Sequence, residues 1–133
     1  MTRFFRLTLV AQLLSISACA LLQSAPPEER VAQRAQERLD FLVSGQSERS
    51  YLYTTPGYRT AKSPQEYARN WVGAGMWLST TVVKVECGDL APVQRCEAVV
   101  RVSFRAPRQD VTDTHLRETW LLLDGEWYLY QPV

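Results

Sequence analysis

At 133 residues the chain is long enough for one domain with one real core. Its 46% hydrophobic and 22% charged content excludes a disordered chain. The net charge of +1 becomes −1 once the leader arginines Arg3 and Arg6 are set aside, which excludes the broad basic field that general nucleic-acid binding needs.

Residues 1–18 carry Arg3 and Arg6, then the apolar run Leu7 to Ile16, then Ser17 and Ala18. A basic start, a short apolar stretch and small residues before a cleavage point read as an export signal. The run is too short to span a bilayer, which takes about 20 apolar residues. Ile16-Ser17-Ala18-Cys19 resembles the bacterial lipobox. The resemblance implies that Cys19 is lipidated and the leader cut before it. Several acyl chains then hold the protein to the membrane where one would not. Residues 19–27 form the lipidated cysteine and a tether. Ala20 stands where bacterial lipoproteins kept at the inner membrane usually have Asp, so the expected address is the outer membrane, facing the periplasm.

The folded domain is expected over residues 28–133. Pro27, Glu28 and Glu29 suit a helix start. Val31, Ala35, Leu39 and Leu42 follow at helical spacing, predicting a helix over 28–44 ended by Gly45. Arg30, Arg34 and Arg38, four apart, are read as its solvated face. Ser47 caps a short second helix through Tyr53, and Thr54-Thr55-Pro56-Gly57 reads as a break. Ser63-Pro64-Gln65-Glu66 is a capping box opening a helix over 64–73, with Tyr67 and Trp71 on one face.

Period-2 alternation marks two strands, Trp77 to Cys87 and Cys96 to Phe104. Setting Cys87 opposite Cys96 pairs Val85 with Ala98, Val83 with Val100, Thr81 with Val102 and Ser79 with Phe104. One register gathers the apolar face and brings two sulfurs together, predicting a disulfide. That accounts for two of three cysteines and leaves Cys19 for the membrane. Asp124-Gly125 between Leu116–Leu123 and Glu126–Tyr130 is a hairpin signal. It sets Leu122 against Trp127 and Trp120 against Leu129, with Glu118 turned inward.

This order of elements resembles the nuclear transport factor 2-like (SnoaL-like, cystatin-like) superfamily. The residues carrying the resemblance are Tyr51-Leu52-Tyr53, Pro56-Gly57-Tyr58-Arg59, the capped helix with Tyr67, Glu118-Thr119-Trp120, and Asp124-Gly125-Glu126-Trp127-Tyr128. The resemblance implies an α+β fold, N-terminal helices on a curved, mainly four-stranded antiparallel sheet. It also implies a cone-like cavity lined by Tyr58, Tyr67, Trp71, Phe104, Glu118 and Trp120.

The chemistry the sequence offers is thin. There is no nucleophile elbow, phosphate loop or dinucleotide fingerprint, no metal-ligand spacing, and hence no expected metal or cofactor. His115 is the one histidine, at a strand start where exposure is expected. An isomerase- or dehydratase-like site would use Glu118 as base and Tyr58 or Tyr67 as donor. The competing structural role pairs Glu118 with an arginine such as Arg59 or Arg101. The expectation is therefore a lipid-anchored, non-catalytic domain meeting an envelope protein or a small apolar ligand. Its contact surface would be the cone mouth or the strand face of Val82, Val99 and Arg101. The alternatives are a small acid–base enzyme and an assembly subunit of a secretion or envelope machine.

Overall fold

A computed structural model describes residues 25–133. The leader, Cys19 and most of the tether lie outside the described residues. The fold is α+β: helices first, then a four-stranded antiparallel sheet in the order β1-β2-β3-β4 that does not close into a barrel.

Helix α1 spans Pro27–Val43. Its end is built by Gly45, whose φ of 74° lets the chain reverse. The Gly45 N–H then donates to the Leu42 carbonyl and the Gln46 N–H to the Phe41 carbonyl, the Schellman pattern. The short helices are α2 (Ser47–Tyr51), α3 (Pro56–Ala61) and α4 (Pro64–Asn70), followed by a 3-10 turn at Val72–Met76. The Ser63–Glu66 capping box forms in full.

The stretch Thr54-Thr55-Pro56-Gly57, read as a break, instead opens α3. Thr55 accepts the Tyr58 N–H and Pro56 fills the first helical position, the same start signal as Ser63-Pro64. The segment does a second job. The Thr55 N–H donates to the Leu129 carbonyl and the Leu129 N–H to the Tyr53 carbonyl, so a single parallel bridge covers the last edge of the sheet.

The strands are β1 (Trp77–Cys87), β2 (Arg95–Phe104), β3 (Thr112–Leu123) and β4 (Glu126–Leu129). Cys87 pairs with Cys96, and Val85 with Ala98, as the alternation predicts. Beyond them the register changes. Val82, not Val83, pairs with Val100, and Thr80, not Thr81, with Val102, because a bulge falls between Val82 and Lys84. The bulge turns Val82 inward onto the core and leaves Val83 exposed. A second irregularity brings Trp77 opposite Phe104. The Gln36 carboxamide on α1 accepts the Val82 N–H (3.0 Å) and donates to the Thr80 carbonyl (3.1 Å). It thereby reads the outer backbone of β1 as a neighbouring strand would.

The other edge is held by arginines. Arg30 donates to the Gly125 carbonyl (2.9 Å) and Arg34 to the Trp127 carbonyl (2.7 Å). Arg34 also pairs with Glu126 at 3.2 Å. These residues were expected on a solvated face. They occupy the carbonyls of Gly125 in the turn and of Trp127 in β4, the stretch of this edge that the Thr54 bridge leaves open. Turn residues Asp124 and Gly125 both have positive φ, 49° and 82°, as a type I′ hairpin requires.

Candidate functional site

The core between α1 and the sheet is apolar at one end. Val31, Ala35, Cys96, Ala98, Trp120, Trp127 and Leu129 pack there. The disulfide partners lie at its rim, their sulfurs 1.95 Å apart. Beside them the Gly88 N–H donates to the Arg95 carbonyl, and hydrogen-bonded and non-hydrogen-bonded pairs alternate along an antiparallel ladder. Cys87 and Cys96 are thus a non-hydrogen-bonded pair, where opposed side chains approach closest.

Towards the other end of α1 the interior turns polar. Arg38 is fully buried, and its Nη1 pairs with Glu118 Oε1. The second carboxylate oxygen, Oε2, accepts the Trp120 indole N–H at 3.1 Å. Arg38 Nε donates to the Tyr67 phenol at 3.2 Å, and Tyr67 shares a 2.7 Å hydrogen bond with buried Ser50. The Arg38 guanidinium lies over the Trp71 ring, 4.4 Å from its centre. Removing a charge from water costs several kcal/mol, roughly, and is sustained by this density of partners.

Each element contributes by position. Arg38 comes from the fourth turn of α1, Ser50 from α2, Tyr67 from α4 and Trp71 from the end of α4. Glu118 comes from β3, where it faces Ala98 on β2, a residue small enough to leave the carboxylate room.

The expected lining residues divide. Tyr67, Trp71, Glu118 and Trp120 meet around Arg38. Tyr58 stands behind Tyr67, ring centres 6.3 Å apart. Burial holds its phenol above its ordinary range, and its oxygen has no hydrogen-bond partner among the described residues. Phe104, paired with Trp77 at the far end of β2, is half-buried and takes no part in the network. His115 is exposed on the outer sheet face beside Arg101.

Neither arginine expected to meet Glu118 does so. Arg101 is exposed on the outer face, and Arg59 donates to the Leu52 and Thr54 carbonyls. The partner is Arg38, which the spacing of Arg30, Arg34 and Arg38 had assigned to solvent. Four residues advance a helix by 400°, so each step in that series rolls about 40° round the axis. Two steps carry the series from the sheet's edge to its centre. The missed signal is the alternating four-three spacing of Val31, Ala35, Arg38 and Leu42, which places Arg38 on the apolar stripe.

The arrangement constrains the chemistry. A general base needs a lone pair facing its substrate. Both Glu118 oxygens are already engaged, one by a cation and one by an indole. Tyr67, the candidate donor, is tied to Arg38 and Ser50. Among the described residues no group of three or more His, Cys, Asp or Glu side chains is placed to hold a metal. Among the same residues no helix is long and apolar enough to cross a membrane.

No family model matches the sequence, and no curated protein matches it. Solved structures do. A SEC-C motif containing protein from Psychrobacter arcticus superposes with a TM-score of 0.62 at 16% identity, covering 86% of this chain. The match spans 66% of that protein, just under two thirds of its length. A SEC-C motif containing protein from Rhodopseudomonas palustris matches at 19% identity and a TM-score of 0.44, over 77% of this chain and 70% of its own. At such identities the first likeness shows the fold alone. It also corrects the expected family: the structural neighbours are SEC-C motif containing proteins, not nuclear transport factor 2-like ones. The resemblance rested on the order of helices and strands and on a Trp strand, a Gly turn and a Trp-Tyr strand. That pattern is set by packing and turn chemistry, so it does not single out one family.

Proposed function

We propose that the chain is a lipid-anchored protein of the cell envelope, facing the periplasm from the outer membrane, whose folded domain works by binding rather than by catalysis. The observation that carries this reading is the division of the three cysteines. Cys87 and Cys96 meet at disulfide distance across a strand pair. A bond of that kind persists in an oxidising compartment outside the cytosol. Cys19 is left alone, at the end of an apolar leader and in the lipobox-like Ile16-Ser17-Ala18-Cys19. Binding is favoured over acid–base chemistry because the best-placed carboxylate, Glu118, is committed to Arg38 and Trp120. The occupant is a partner protein of the envelope or a small apolar ligand.

Expression of the full chain and of Cys19→Ser in a two-membrane bacterium, followed by fractionation, tests the anchor. The native chain is expected in the outer membrane, with acyl mass on its N-terminal peptide. The variant is expected in the soluble periplasmic fraction. A variant that stays with the membrane contradicts the reading.

A further inference from the structure

Three tips of the fold lie together at the start of α1. The Arg30 guanidinium donates to the Gly125 carbonyl in the β3–β4 turn. The Leu122 N–H donates to the Gln94 carbonyl at the end of the β1–β2 loop. Val93 of that loop packs on the apolar cluster that holds Val31. The loop, residues 88–94, is thus pinned twice, by the Cys87–Cys96 disulfide at its base and by Val93 on its return. A turn between strands is ordinarily polar. This one presents Leu90, 86% exposed, with Ala91 and Pro92 exposed after it. Leu123, at the end of β3, is exposed next to the neighbouring turn.

The chain enters the domain at this same end. Pro27 follows Cys19 by eight residues. A lipid on Cys19 therefore holds the start of α1 within about 29 Å of the bilayer, the reach of eight extended residues. With its 17 residues, α1 is about 25 Å long. The opposite end, with Val72 and Met76, would meet the surface only with that tether drawn almost straight, which costs most of its conformational freedom. The tip end meets it with the tether slack. Charge decides how. Glu28, Glu29, Asp89 and Asp124 are exposed at this end. Its arginines are engaged, Arg30 on Gly125, Arg34 on Glu126 and Arg95 on Glu97. Such a surface gains nothing from anionic headgroups. What it offers a bilayer is apolar.

We propose that the 88–94 loop docks on the bilayer that carries the anchor, with Leu90 seated at the boundary of headgroups and acyl chains. The domain then stands with α1 running away from the membrane and the Val72–Met76 turn facing the periplasm. The proposal deepens the anchor reading above and rests on it.

The test uses the full chain, acylated and labelled with 15N, in phosphatidylcholine nanodiscs. The discs carry a trace of lipid with a gadolinium chelate on its headgroup, and gadolinium-free discs are the blank. The backbone amide signals of Leu90 and Ala91 are expected to broaden several-fold more than those of Val72 and Gly73. Leu90→Gln is expected to lower the docked-to-undocked ratio about tenfold, the size of one buried leucine, and to remove most of that difference. Val72→Gln, at a side chain 81% exposed on the opposite end, is expected to leave the native pattern in place. Equal broadening at the two ends of the native chain overturns the proposal. So does a native pattern that persists in Leu90→Gln, or broadening at Leu90 that grows as phosphatidylglycerol is added, the mark of docking by charge. Should Leu90→Gln not fold, Leu90→Ser takes its place. A chain whose N-terminal peptide carries no acyl mass fails the anchor reading and this proposal with it. An acylated chain without the Leu90 effect fails this proposal alone.

Discussion

The two ends of the interior are built on different physics. At the hairpin tips, Val31, Ala35, Ala98, Trp127 and Leu129 exclude water and little else is asked of them, and Trp120 packs with them while its indole N–H reaches Glu118. Around Leu42, Tyr51, Tyr58 and Tyr67 the packing is aromatic and carries a buried ion pair and shared hydroxyls. The first end depends on volume, which many side chains supply. The second depends on donors and acceptors meeting, which few do. A change of equal size should therefore cost more at the polar end, and the cost should depend on which partner is left behind.

The largest effect is expected at Arg38. Arg38→Met conserves much of the volume but strands the Glu118 carboxylate, and should lower stability by about 3–5 kcal/mol in urea unfolding. At the apolar end, Cys87→Ala with Cys96→Ala removes the cross-link. It should cost about 2–3 kcal/mol, because a loop of eight intervening residues is a short one to close. Chemical reduction of the native chain should reproduce that loss. If the cysteine pair costs more than Arg38, the ranking of the two ends is reversed.

A smaller effect sharpens the comparison from outside the core. Ser63→Ala removes the cap of α4, the helix that delivers Tyr67, and should cost about 1 kcal/mol. The Glu66 carboxylate in that box is held below its ordinary range, first by the Ser63 backbone N–H and then by the Ser63 hydroxyl. A depressed carboxylate contributes stability above its ordinary value and loses it as pH falls through the lowered one. Glu66→Gln keeps the hydrogen bonds and should flatten that acid limb. A limb unchanged in Glu66→Gln would remove the capping box from the acid response.

The apolar end was legible in the sequence because its rules are periodic. Alternation aligned Cys87 with Cys96, and Asp124-Gly125 set Trp120 against Leu129. What alternation did not carry was the bulge at Val82–Lys84. A one-residue insertion leaves the composition of a strand unchanged and is fixed by a contact from elsewhere, here Gln36 on α1. The polar end was half legible. Glu118 was expected to face inward and does, and Tyr67 and Trp71 share its neighbourhood. The partner was misjudged, since an arginine in an apolar stripe looks like surface until something buried needs its charge. Arg30 and Arg34 were misjudged similarly. Their role depends on the open carbonyls of Gly125 and Trp127, which lie almost 100 residues along the chain. The family is not legible in the order of elements, because packing and turn chemistry set that order.

The central claim is that Glu118 is held as the structural partner of Arg38. A double-mutant cycle of Arg38→Met and Glu118→Leu, followed by urea unfolding, tests it most directly. Each single variant leaves one charge buried alone and should be strongly destabilised. The double variant, with neither charge, should regain most of the loss and lie closer to the native chain than either single variant. A double variant destabilised by the sum of the two single losses would contradict the account and return Glu118 to the list of free carboxylates.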